Sequence, residues 1–232
     1  NKIPVKTMLT INNLTYQGRT SMDVLDRVGI QKSKCQVVQW ETESRRINFL
    51  LEGITHADII TTVSPTYALE IMTEEYGAGL EEVLRGKEGR VFGVLNGIDD
   101  HRREKVKVEK HSWEEEKKIS KRNLQRKLGL KIEESIPLIS FIGRFDSKQK
   151  GIDILHKMLR TIDLKGYEFV ILGKGELEWE ERFLWLDTFF PKNVACTFVF
   201  SDLLAHQIYA GSDFIVVPSK FAALTSFGTF LF

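Results

Sequence analysis

Cysteine is scarce in this chain: two in 232 residues, Cys35 and Cys196, far apart and without the short spacing of a metal-ligand pair. That argues against a disulfide-built scaffold or a thiolate metal site and predicts a reduced, cytoplasmic protein, or a plastid one if the source is a plant. Nor is there a set of His, Asp and Glu at ligand spacing, so no metal is indicated. Long hydrophobic runs are missing; none approaches the ~18 residues of a membrane span. An excess of either charge is missing as well. With 33 Lys and Arg against 32 Asp and Glu, the net charge of +1 gives no electrostatic reason to expect nucleic acid or an anionic membrane as partner. No solenoid-type repeat is visible. The opening Asn1-Lys2-Ile3-Pro4-Val5-Lys6 has neither an initiator Met nor a signal-peptide pattern, and it reads as the interior of a longer protein.

What is present is an ordinary globular composition, 42% hydrophobic and 28% charged. Strand-like and helix-like segments alternate, which predicts an α/β fold with mostly parallel sheets. Strands are expected at 7–11, 58–63, 91–95, 138–143, 168–172, 194–200 and 214–217. Helices are expected at 45–56, 65–72, 120–128, 151–161, 176–190 and 202–210. From Asp99 to Arg126 the chain is dense in Lys, Arg and Glu and nearly free of apolar residues. Within it, Trp113-Glu114-Glu115-Glu116-Lys117-Lys118 sets acids three and four residues before bases, the spacing that supports an exposed helix. The expected organisation is a first domain over 1–100, a charged linker over 101–119 and a second domain over 120–232.

The segment with the most chemistry is Gly143-Arg144-Phe145-Asp146-Ser147-Lys148-Gln149-Lys150-Gly151. It follows the apolar run Leu138 to Ile142 and precedes an amphipathic stretch, so it reads as the loop of a strand–loop–helix unit. Loops at the carboxyl end of strands are where α/β sheets hold ligands. A fixed Arg and a fixed Lys suit a diphosphate, the guanidinium gripping two oxygens and the ammonium adding a point charge.

The strand-GR-x-QKG-helix pattern resembles the nucleotide-binding region of nucleotide-sugar glycosyltransferases, and other segments sharpen that resemblance. Thr7-Met8-Leu9-Thr10-Ile11-Asn12-Asn13-Leu14-Thr15-Tyr16-Gln17-Gly18 is similar to the TIHNLAYQG segment of bacterial glycogen synthases and plant starch synthases. Ala57 to Ala68 reads ADIITTVSPTYA, Val94 to Asp99 reads VLNGID, and Leu124 to Leu130 reads LQRKLGL, each similar to a family segment in the same order. Leu172-Gly173-Lys174-Gly175, Ala205 to Phe214, and Pro218-Ser219 complete the series. The resemblance implies a retaining glycosyltransferase of the GT-B type, two Rossmann-like domains facing a cleft, with both domains incomplete here. It implies glucose transfer from ADP-glucose or UDP-glucose to the non-reducing end of an α-1,4-glucan, with these two molecules as partners and no cofactor. A glycosyltransferase of similar architecture with another acceptor, or a non-catalytic nucleotide- or glucan-binding protein, are the alternatives.

By the same resemblance, Arg144 and Lys150 hold the diphosphate and stabilise the leaving charge. Five residues separate them, where most bacterial synthases have four. Asn96 faces the donor or simply forms the Asn-Gly turn. Asn13 matches the Asn of the family's His-Asn pair, and Asn12 stands where the His reaches the donor sugar; Asn is shorter and cannot be charged. Phe200 either stacks on the nucleotide base or fills a strand-end core position. Gly173 and Gly175 either admit a ligand close to the backbone or form a plain turn. His206 is read as a helix-surface or packing residue, and neither Asp99 nor Asp100 as catalytic. The family's Lys-Thr-Gly-Gly-Leu loop has no counterpart. Where the family continues Pro-Ser-Arg-Phe-Glu-Pro-Cys-Gly, this chain has Lys220-Phe221-Ala222-Ala223-Leu224, with Ala222 in the place of the carboxylate. The expectation is a partial synthase with little or no transferase activity, whose sheets lack strands and expose edges.

Overall fold

The computed structural model describes residues 5–31, 46–97 and 112–220. Residues 5–31 and 46–97 belong to one compact unit and 112–220 to another. Cys35, Asp99, Asp100 and Ala222 lie outside the described residues, as do the first residue of the expected 45–56 helix and most of the expected linker.

The first unit runs β1 (Met8–Ile11), β2 (Arg19–Ser21), α1 (Asp23–Arg27), β3 (Arg46–Asn48), α2 (Phe49–His56), β4 (Ile59–Thr62), α3 (Pro65–Glu70), α4 (Glu81–Arg85) and β5 (Val91–Gly93). β1, β4 and β5 form a parallel sheet with β4 in the middle, in a register that sets Met8 beside Ile59 and Ile60 beside Val91. β2 and β3 form a separate antiparallel pair. The helix expected from residue 45 starts at Phe49, because the Asn48 side chain accepts the Leu51 N–H at 3.0 Å and caps it. Residues 46–48 are therefore strand. Ser64 caps α3 in the same way, with Pro65 in its first turn, where a missing N–H costs nothing. Leu25, Ile54, Ile60, Ile71 and Leu84 are fully buried.

The second unit runs α5 (Trp113–Leu128), β6 (Leu138–Ile142), α6 (Ile152–Leu159), β7 (Glu168–Leu172), α7 (Leu177–Phe189), β8 (Val194–Thr197), α8 (Asp202–Gly211) and β9 (Phe214–Ile215). The four strands are parallel, in the order β8-β7-β6-β9. Alternation along β7 explains the two layers that cover this sheet. Phe169 and Ile171 pack with Ile152, Leu155 and Phe183 of α6 and α7, while Val170 and Leu172 pack with Leu124 and Ile208 of α5 and α8.

α5 begins at Trp113, seven residues before the expected start, so the last part of the segment read as linker is helical. Ser112 and Glu115 form a reciprocal capping box that fixes this start. Nor is α5 a purely exposed helix. Lys121 is buried, its ammonium donating to the Glu134 and Ile136 carbonyls at 3.0 and 2.6 Å and paired with Asp213 at 2.5 Å. Gln125, also buried, donates to Glu168 at 2.7 Å. Burial raises the Glu168 carboxyl above the usual range, against the opposing pull of that hydrogen bond.

Candidate functional site

The chain lays down β6, β7 and β8 stepwise in one direction, then α8 carries it back across the sheet to place β9 on the other side of β6. The order reverses between β6 and β9, so the loops leaving these two strands diverge around a crevice. Arg144 and Lys150 lie on the first of these loops, residues 143–151; residues 216–220 form the second.

The first loop is anchored from below and from both sides. The Phe145 ring is buried, with the rings of Phe141, Phe183 and Phe198 centred 6.4, 5.3 and 5.9 Å away. Its backbone N–H donates to the Lys174 carbonyl and its carbonyl accepts the Glu176 N–H, both at 3.0 Å. Asp146 turns the chain: its side chain accepts the N–H groups of Lys148 and Gln149 at 3.0 Å, and its carbonyl accepts the Lys150 N–H at 2.9 Å. Glu176 accepts from the Ser147 hydroxyl at 3.1 Å and the Trp179 indole at 2.9 Å. Arg144 donates to the buried Gln149 side-chain carbonyl at 3.3 Å.

The second loop closes against the first. Lys220 donates its N–H to the Gln149 carbonyl at 2.9 Å and its ammonium to Asp153 at 2.8 Å. Gly151, at φ 64°, caps α6 in a left-handed conformation, and a Cβ there would run into the Pro218 carbonyl. Lys150 is half-buried; burial first, and then the Arg144 charge, pull its ammonium below the ordinary lysine range, with Asp146 opposing. Two cations held together on a rigid loop favour a polyanion, which relieves their repulsion.

The two glycines read as admitting a ligand have another neighbour. A Cβ on Gly173 would strike the Gly143 carbonyl and the Phe145 ring, and one on Gly175 the Phe145 backbone. Their bareness lets the 143–145 and 173–175 loops touch, as the bridge between Phe145 and Gly175 records. Phe200 is 58% exposed just beyond β8, so it is not a strand-end core residue; Phe198 takes that part. His206 is half-buried on α8.

In the first unit, Asn12 and Asn13 follow the carboxyl end of β1, and Asn96 follows that of β5. Asn12 and Asn96 are exposed. The Asn13 side chain accepts the Thr15 N–H at 3.0 Å and shapes the turn after β1. Buried Gln17 steadies the end of this segment, donating to the Ala78 carbonyl at 2.9 Å and accepting from Asn48 at 2.6 Å and Arg19 at 3.0 Å. The Tyr67 hydroxyl accepts the Leu14 N–H at 3.2 Å.

Sequence reasoning passed over Gln149, Glu176 and Lys220. Gln149 stood inside the quoted QKG run, and the other two reach the loop only through tertiary contacts. Among the described residues no group of three His, Cys, Asp or Glu side chains is disposed to hold a metal. No helix there is long and apolar enough to cross a membrane.

A parallel α/β sheet covered by helices on both faces, with its strand order reversing between β6 and β9, defines a fold of the Rossmann-like class. Comparison narrows the class. Residues 2–86 match the starch synthase catalytic domain. Glycogen synthase from Petrotoga mobilis is 41% identical over 222 residues, and that from Bacillus subtilis 40% over 228, each alignment covering 94% of this chain. The catalytic domain of starch synthase IV from Arabidopsis thaliana, bound to ADP and acarbose, superimposes with a TM-score of 0.82 at 29% identity, over 94% of this chain and 47% of that one. The chain belongs to the glycogen synthase and starch synthase family. It spans about half the length of the curated relatives it matches, 45% and 46% for the two named.

Proposed function

We propose that this chain carries the diphosphate-gripping part of a retaining glucan synthase, which transfers glucose from ADP-glucose or UDP-glucose to the non-reducing end of an α-1,4-glucan. The observation that carries this reading is the pairing of Arg144 with half-buried Lys150 on a loop pinned at the β6–β9 switch point. Fixed cations there need no reorganisation when charge builds on the departing diphosphate, which is where electrostatic catalysis gains most. Asn12, Asn13 and Asn96 are proposed to meet the donor from the first unit, and exposed Phe200 to stack on the base. Gly173 and Gly175 shape the donor site indirectly, by letting the two loops touch.

The ADP and acarbose bound to the Arabidopsis enzyme support a nucleotide sugar and a glucan as the ligands. Calorimetric titration with ADP tests the site: Arg144→Ala and Lys150→Ala are each expected to weaken binding by roughly 10- to 100-fold, the worth of a hydrogen bond to a charged group. Unchanged affinity in both variants would remove the assignment. A second reading, nucleotide binding without transfer, is favoured by Ala222, since a methyl group stabilises no developing positive charge. Transfer of labelled glucose from ADP-glucose to glycogen by this chain decides between the two.

A further inference from the structure

We propose that Gln149 is a positioning residue of the diphosphate site, its buried side-chain carbonyl orienting Arg144 while its neutrality adds no negative charge beside the two cations. The proposal rests on the diphosphate reading above. Gln149 is 6% exposed, in a loop whose cations are far more open. Three of its polar groups have directed partners. The side-chain oxygen accepts from Arg144 Nη2 at 3.3 Å, the N–H donates to Asp146 Oδ1 at 3.0 Å, and the backbone carbonyl accepts the Lys220 N–H at 2.9 Å. One residue thus ties a guanidinium on the β6 loop to the backbone of the β9 loop, across the place where the strand order reverses.

The choice of an amide has a consequence of sign. A carboxylate at the same place would also orient Arg144, and more firmly, but it would pair with the charge that the diphosphate needs. It would also relieve the repulsion between Arg144 and Lys150. An amide orients Arg144 without adding a negative charge, so the push of the Arg144 charge on Lys150 is left as it is. Gln149→Glu is therefore expected to move stability and affinity in opposite directions, which loss of a merely structural contact would not do.

The test uses the full chain, ADP as the probe, and the variants Gln149→Met, Gln149→Glu, Arg144→Ala and the double Arg144→Ala/Gln149→Met. Gln149→Met keeps length and volume but removes the acceptor. It is expected to weaken ADP roughly tenfold in the wild-type background and to have no further effect once Arg144 is gone. Gln149→Glu is expected to raise the melting temperature while weakening ADP by at least as much. Equal weakening by Gln149→Met with and without the Arg144 side chain would overturn the proposal, as would wild-type affinity in Gln149→Glu. A second measurement needs no nucleotide: the Arg144 side-chain Nε–H signal in NMR is expected to be ordered in the free protein and to lose that order in Gln149→Met. Should the wild-type chain take up no ADP, the diphosphate reading falls. The Arg144 signal then still decides on Gln149, and an unchanged signal in Gln149→Met would overturn the positioning role.

Discussion

Burial and a neighbouring like charge act together on Lys150. Its ammonium is held below the ordinary lysine range by burial and by Arg144. Between that lowered value and the usual one near 10.5, the unfolded chain binds more protons than the folded one. Stability of the free protein therefore rises with pH across this window. A diphosphate prefers the charged form, so ADP affinity is expected to fall across the same window. Lys150→Arg, whose guanidinium does not titrate there, is expected to flatten the affinity curve. ADP titrations from pH 7 to 10 on both proteins check this, and a flat wild-type curve would contradict it. Burial, which sets the sign of the effect, was invisible in the sequence. The Arg and Lys were legible as a pair because they bracket a strand-to-helix loop. Gln149 was not, since nothing in a lone Gln announces that it lies inside. Lys121 shows the same limit: a lysine in a run of charges is taken for surface until Asp213 and two carbonyls are found around it.

At the scale of elements, legibility followed apolar content. The run Glu168 to Leu172 was read with both its ends in place, because four consecutive apolar residues have no competing pattern. β2 and β3 were missed: Arg19–Ser21 and Arg46–Asn48 are three residues long and mostly polar, held by pairing rather than by propensity. The start of α5 was missed because its first turn, Trp113 to Glu116, is solvated and is secured by a cap rather than by an apolar stripe. Glycine positions divide by their neighbours in the same way. Gly151 joins α6 to the cation loop in a left-handed conformation that costs an alanine roughly 1–2 kcal/mol before any contact is counted. The Pro218 carbonyl occupies the place of the new methyl, so Gly151→Ala is expected to lower stability by more than that backbone cost. Urea denaturation measures it. The matched control Gly166→Ala, whose Cβ would meet nothing within 4 Å, is expected to change the midpoint little.

At the scale of the molecule, the chain forms two compact units: the cation loop lies within residues 112–220, and the three Asn positions lie in the other unit. The two parallel sheets were legible as α/β, since their apolar strand runs alternate with helical segments. The strand order was not, because a sequence shows the elements but not which neighbours they choose. ADP bound by Arg144 and Lys150 is expected to slow amide hydrogen exchange in segments 143–151, 173–176 and 216–220. At about 100 times the dissociation constant, this ligand is expected to add about 2.7 kcal/mol to unfolding of the unit that holds it. Exchange in the β1-β4-β5 sheet is expected to stay unchanged. Protection spread equally over both units would mean that ADP is held otherwise than by the β6 loop.

The contact between the β6 and β9 loops also sets an order in time. Lys220 lies 67 positions after Asp153, and Pro218 must arrive before Gly151 has its final neighbour. A ribosome adding roughly 5–20 residues per second makes the cation loop several seconds before the segment that completes it. During that interval the nascent chain presents Arg144 and Lys150 without the Lys220 tie. Until the 216–220 segment is made, the contacts of Lys220 with Gln149 and Asp153 cannot form, so the tie between the two loops comes after the folding of the cation loop itself.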